Sequence, residues 1–404
     1  MAAARKTGEA FHDQCRNAVA VIQAAIRRVY RSLGLPVDRP QEVSRRLGLD
    51  KNLSWKLARV AGARDPLAVA AQVPGAEAFR ILAEKLLAAG VNAKELGVIT
   101  AAAETFDRMV LEHAGDRPTL QILLDGLSLD ASLDQSRKAL FRGASGVWGI
   151  QAKARVTASW IAPSQTDSQR IDLAVVGGLI HVRRLRNLEG WPLFRFGSWD
   201  DQGQARERPI EPLEPPASPD DPHLIMRSWC SPLPPPVISR YSGKSVTHEL
   251  ANGPVGKTGD STFFFGTFQP AVGERYGAEG GFAEIGARVS LPIESLFVDL
   301  FVHRDLREYE QSFVEVYGGP FETMTLDDDS RMRARLPCEQ GLVRAANLTA
   351  ATSHPQLPGY DTLVPHVFNR CGWQPRDFRL LRLHMSYPPM PSMVVVRTPQ
   401  VQQP

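Results

Sequence analysis

Two short amphipathic stretches meet at Gly48 within Val37–Gly62, VDRPQEVSRRLGLDKNLSWKLARVAG, and this spacing constrains the N-terminal fold more than any other feature. Asp38 can cap a helix, and Gln41 three residues later completes a capping box. Pro40 falls in the first turn, where backbone N–H groups lack intrahelical partners. Val43 and Leu47 share one face. Gly48 suits the left-handed conformation that ends a helix in a tight turn, and Leu49 plugs that turn into the core. Asp50 then caps a second helix, Lys51 to about Ala61, with Gly62 as its stop. At about 100° per residue, Leu53, Leu57 and Val60 lie within about 60° of one another and form the buried stripe. The opposite face carries Lys51, Trp55 and Ala58, flanked by Asn52, Ser54 and Arg59.

The stretch from Gln41 to Asp50, followed by Leu53 and Leu57, resembles the helix-turn-helix of bacterial transcriptional regulators. Ser44 stands where that family usually has Ala, and Gly48 is the turn glycine. At Ser54 the chain departs from the branched apolar residue usual there. The resemblance covers about 25 of the 404 residues. It implies a DNA reader whose second helix enters the major groove. On this reading Lys51, Asn52, Ser54, Trp55, Lys56 and Arg59 face double-stranded DNA, joined by Gln41, Arg45 and Arg46 from the first helix. Asn and Arg suit base edges, and Lys and Arg suit phosphates. Arg27, Arg28 and Arg31 upstream add candidate phosphate contacts. A second reading stays open, in which the helical pair only contacts other proteins.

Charge is distributed in keeping with a polyanionic partner. The chain carries +3 overall, but residues 1–66 hold 13 Lys/Arg against 6 Asp/Glu, and the remainder 34 against 38. A basic N-terminal segment thus precedes a mildly acidic body.

The stripe Cys15, Val19, Ile22, Ile26, Val29 and Leu33 predicts a first helix over Glu9–Leu33, packed against the following helices or a second copy of itself. Further helices are expected near Pro66–Gln72, Gly75–Ala89, Ala93–His113 and Pro118–Leu127. Asp65-Pro66 reads as an N-cap with Pro at N1, and Gly90 and Gly115 as C′ positions. Downstream, Ala152, Ala154, Val156, Ala158 and Trp160 alternate as in a half-buried strand. Strands are also expected at Thr262–Phe268, Phe282–Val289, Ile293–Val302, Phe313–Tyr317 and Met393–Val396. Ten prolines between Pro209 and Pro236, with the acidic run Ser218–Asp221, mark a surface linker or loop.

The expected fold class is therefore α+β, an all-α N-terminal region followed by a β-rich mixed C-terminal module. Its segments are 1–64 (helix-turn-helix), 65–145 (helical connection or dimerisation), 146–208 (mixed), 209–236 (Pro-rich) and 237–404 (β-rich, sensory or interaction). By architectural analogy the partners expected are DNA, a second copy in a homodimer, and a small-molecule or protein effector.

Enzymatic chemistry finds weaker support. Ala251–Thr258 fits a relaxed phosphate loop, and Leu296–Asp299 an apolar strand ending in a metal-positioning Asp, which together would make an ATPase. Yet Gly259–Phe265 reads as a turn and strand, where a phosphate loop must open a helix. His303-Arg304-Asp305 shares a kinase order without the other kinase motifs. Asp327–Asp329 lacks the Gly and distal Glu of a calcium loop. No nucleophile elbow and no metal-ligand spacing occurs, so neither cofactor nor metal is expected. Cys15, Cys230, Cys338 and Cys371 form no CxxC pair and read as reduced, buried thiols. With no apolar run of membrane length and no signal peptide, a cytoplasmic location is expected.

Overall fold

The computed structural model describes residues 2–127, 131–196, 198–199, 205–206, 210–216, 224–242, 245–278, 280–319, 328–345, 348 and 352–403. Helices fill the N-terminal part and mixed sheets the remainder, an α+β fold. The chain divides into two compact units, Met1–Leu133 and Asp134–Pro404.

In the first unit, helices α1 (Ala2–Ser32), α2 (Pro40–Leu47), α3 (Lys51–Gly62), α4 (Ala76–Ala88), α5 (Ala93–His113) and α6 (Arg117–Leu127) share one core. The α1 stripe packs within this core: Cys15, Val19, Ile22, Ile26 and Val29 are buried, and Leu33 is half-buried. Its neighbours are α5, α3 and a 3-10 turn, Leu67–Gln72. Gly90 and Gly115 take positive φ after α4 and α5, as C′ positions require. Asp65 accepts from the Leu67 amide at 3.2 Å and opens the 3-10 turn. The 64/65 division drawn from the sequence falls inside this single core, because α1 contributes to both sides of it.

The second unit begins within α7 (Ala131–Trp148). Its strands are β1 (Ile150–Pro163), β2 (Arg170–Arg184), β3 (Trp191–Phe196), β4 (Ser198–Trp199), β5 (Ala205–Arg206), β6 (Glu211–Pro212), β7 (Val237–Ser242), β8 (Ser245–Leu250), β9 (Ser261–Glu274), β10 (Phe282–Val289), β11 (Ile293–His303), β12 (Phe313–Gly318), β13 (Arg335–Leu336), β14 (Val343–Arg344), β15 (Phe378–Ser386) and β16 (Ser392–Pro399). Short helix α8 (Asp328–Arg333) and helix α9 (Tyr360–Cys371) complete it. Seven strands form one sheet in the order β14-β15-β11-β1-β2-β9-β6, alongside sheets β10-β16-β12-β13, β3-β8-β7 and β4-β5. Among the described residues of the seven-stranded sheet only the β1–β11 pair runs parallel, with Val156 opposite Phe297 and Trp160 opposite Phe301.

Both faces of the large sheet are covered. Trp160, Phe264, Phe297 and Phe301 pack with Tyr360, Leu363 and Phe368 of α9, and Trp160 stacks on Phe301 at 4.5 Å. Phe263, Phe265, Val298 and Leu300 pack with Val289, Val316, Val394 and Val396 of the four-stranded sheet. Burial on both faces produces the near-continuous apolar run of β11. It also corrects the half-buried reading of β1, which from Val156 to Ala162 is buried at every position. β2 and β15 carry no clean alternating signal and escape a reading from sequence.

The 146–208 and 237–404 segments do not separate, since β1, β2, β9, β11 and β15 share one sheet. Nor is the described part of the Pro-rich stretch a free surface linker. β6 pairs with β9, Ile225 bridges Phe265, Ser231 bridges Thr262, and Leu213 and Met226 are fully buried. Apolar residues between the prolines anchor it to the sheet, whose edge tolerates Pro. Pro209, Ser218–Asp221 and Asp327 lie outside the described residues.

The phosphate-loop candidate leads through a 3-10 turn, Gly256–Gly259, directly into β9, as the turn-and-strand reading expects. Asp299 does not end its strand. It sits mid-β11, fully buried, with Arg382 Nε at 2.7 Å, Arg382 Nη2 at 2.6 Å and the Tyr360 hydroxyl donating at 2.7 Å. A buried carboxylate needs such complete pairing. Burial first, then Asp299, pushes the Tyr360 phenol well above its ordinary range. Among the described residues, no group of three or more His, Cys, Asp or Glu stands together as a metal site. No described helix is long and apolar enough to cross a membrane.

Candidate nucleic-acid interface

The α2–α3 corner is built around its turn. α2 starts at Pro40 with Arg39 at the N-cap and no side-chain cap, so Asp38 and Gln41 do not form the expected capping box. Pro40 presets the first-turn backbone instead. Gly48 takes φ +62°, and its amide returns to the Ser44 carbonyl. Asp50 caps α3 as expected, accepting from Asn52 N at 2.8 Å and Leu53 N at 3.1 Å. Gly62 is the last residue of α3 and Ala63, in an extended conformation, caps it.

α1 holds both ends of the corner. Gln23 donates to the Val60 carbonyl at 2.9 Å, and Arg27 donates to the carbonyls of Ala61 at 2.5 Å and Ala63 at 3.2 Å. These are orphan carbonyls of the α3 C-terminus. In the opposite direction Arg46 donates to Gly34 O at 2.8 Å and Leu33 O at 2.9 Å, closing the end of α1. Arg28 lies 3.5 Å from Glu95. Arg27 and Arg46 therefore serve as ties between α1 and the corner. Both remain exposed.

The outer face of α3 presents Lys51, Asn52, Trp55, Lys56 and Arg59, all exposed, with Trp55 at 58%. Gln41 and Arg45 are exposed on α2, and Arg31 on α1. Lys51, Lys56, Arg59 and Arg31 form no ion pair among the described residues. Ser54 does not belong to this face. It is 1% exposed, and its hydroxyl has no hydrogen-bond partner among the described residues. Position 54 thus points into the core, where a branched apolar residue would sit, and its predicted DNA contact is withdrawn.

Trp55 and Arg59 form a ridge between two open grooves. One, of about 1050 Å³, is lined by Arg27, Arg31, Val37, Asp38, Trp55 and Arg59. The other, of about 470 Å³, includes Lys56, Gln72, Val73 and Arg117. Arg117 is engaged with the Val73 carbonyl at 2.8 Å and with Asp107. The sequence reading missed Lys85 of α4, whose ammonium lies 3.8 Å from where a Cβ on Gly48 would stand. It adds a cation beside the turn, and no local spacing could have revealed it. No family model matches the chain, and no curated protein matches it.

Proposed function

We propose that this chain is a sequence-specific regulator of transcription, of the bacterial helix-turn-helix kind, that reads double-stranded DNA through α3. The observation that carries the proposal is the division of labour among its polar side chains. Arg27, Arg46, Gln23 and Asp50 lock the corner internally, whereas Lys51, Asn52, Lys56 and Arg59 project outward. A helix of 12 residues, about 18 Å long and about 10–12 Å wide, fits a major groove about 12 Å wide. Asn52 and Arg59 would meet base edges, and Lys51, Lys56, Arg45 and Arg31 phosphates. The regulator acts in the cytoplasm as a homodimer on paired half-sites, and Asp134–Pro404 is its responsive module, sensing a small molecule or a protein.

Genome-wide capture of bound DNA tests this directly, using the full chain and its Arg59→Ala and Trp55→Ala variants. The expected result is a set of enriched sites for the wild type that both variants lose. An unenriched wild type overturns the proposal. Trp55, exposed between two grooves, favours a second reading in which the ridge docks a protein. Reversing the charge at Lys51 and Arg59 separates the two: DNA affinity collapses under the first and is absent from the start under the second.

A further inference from the structure

On α5 the residues Lys94, Val98, Ala101, Thr105, Arg108 and Glu112 follow one another at alternating steps of four and three. On a helix that spacing draws a single stripe along one face. All six are exposed, Val98 at 46%. The opposite stripe, Leu96, Ile99, Ala103, Phe106 and Val110, is buried in the core of the first unit. The exposed stripe borders an open groove of about 750 Å³ whose other wall is α1, with Asn17 and Val21 exposed there.

The end charges of this stripe are misplaced for a lone helix. Lys94 stands in the first turn of α5 and Glu112 in the last, where the helix dipole disfavours a cation and an anion respectively. Neither side chain, nor that of Arg108, forms a hydrogen bond or ion pair among the described residues. Steps of four, three, four, three and four read the same in both directions, so the stripe can pair with a second copy of itself about a two-fold axis. Laid antiparallel, Lys94 meets the partner's Glu112 at both ends, and each charge reaches the favourable end of the partner's dipole. Arg108, one turn before Glu112, adds a second cation beside that carboxylate, and its aliphatic stem covers the partner's Val98. Ala101 meets the partner's Thr105 at the crossing, where short side chains let the axes approach to about 8–10 Å. A parallel pair would set lysine against lysine and glutamate against glutamate.

We propose that this face of α5 is the interface to a second copy of the chain, the two α5 helices packing antiparallel about a two-fold axis level with Ala103, with α1 of each copy walling the groove. This names the surface of the homodimer in the proposed function and rests on that part of it, not on DNA binding.

Sedimentation velocity of the full chain without DNA, over a concentration series, tests it. The wild type is expected to sediment as a dimer that dissociates on dilution. Lys94→Glu and Glu112→Lys should each weaken association at least about tenfold, because the two-fold axis turns one exchanged charge into two like-charged contacts. At concentrations where the wild type is monomeric, neither variant should unfold at a lower temperature, since each exchange also suits the α5 dipole. Lys94→Glu combined with Glu112→Lys in one chain should restore wild-type association at unchanged net charge. A wild type that stays monomeric throughout overturns the proposal and the homodimer with it, but not the DNA reading, which the DNA capture decides separately. A dimer that the single variants leave unchanged overturns this interface and keeps the homodimer. Failure of the combined variant to restore association likewise overturns the interface.

Discussion

Ser44 and Leu49 close the α2–α3 turn reciprocally: the Ser44 hydroxyl donates to the Leu49 carbonyl at 2.7 Å, and the Leu49 amide returns to the Ser44 carbonyl at 3.1 Å. The pair brackets Gly48 at φ +62°. Ser44→Ala should therefore cost about 1 kcal/mol, the net worth of a buried hydrogen bond. Gly48→Ala should cost about 1–2 kcal/mol through the left-handed backbone and not through a clash. Gly48→Asn should be milder. Urea unfolding midpoints at equal slope check all three, and a harmless Gly48→Ala would contradict the account of the turn.

Ser54 is the weak point of the corner. Its hydroxyl is buried in α3 without a partner, so removing it relieves a desolvated polar group and adds helix propensity. Ser54→Ala should stabilise the chain by about 1 kcal/mol and leave DNA affinity unchanged. A thermal melt and a binding isotherm decide this, and lost affinity would return position 54 to the outer face.

Exposed and tied arginines should respond differently. Lys56→Ala and Arg45→Ala, at exposed positions read as phosphate contacts, should each lower the salt dependence of DNA binding by about 0.9 for every phosphate left without its cation, with the unfolding midpoint unmoved. Arg46→Ala should mainly lower stability, by about 1 kcal/mol or less, because its bonds go to the carbonyls of Leu33 and Gly34. Anisotropy titrations across a salt series, with melts on the same samples, distinguish these effects. Equal behaviour of Arg46 and Arg45 would refute the division of labour.

The buried thiols make stability fall in alkali. Burial pushes Cys15 up to about 11 and Cys371 up to about 12 from an ordinary value near 9. The folded state holds these protons more tightly than the unfolded chain. The corresponding stability is complete below pH 9 and is lost as pH rises through about 11 for Cys15 and about 12 for Cys371. The slope is about 1.4 kcal/mol per pH unit for each titrating thiol. Cys15→Ala should flatten the decline between pH 9 and 11, measured by urea unfolding at stepped pH. An unchanged slope would count against burial as the cause.

What the sequence determined by itself was local. The Gly48 turn, the Asp50 cap, the stripe of α1 and helix α5 follow from nearest neighbours along the chain, because caps, turns and 3.6-residue periodicity are encoded within a few positions. Only the tertiary structure decided which charges are engaged within the fold. Arg27 and Arg59 look alike in sequence and both are exposed, yet Arg27 donates to carbonyls at the end of α3, 34 residues on, and Arg59 forms no ion pair among the described residues. The same holds for Asp299, paired with Arg382 across a strand interface. Pairing of charges depends on which strands and helices become neighbours, and that follows from burying the whole apolar surface at once.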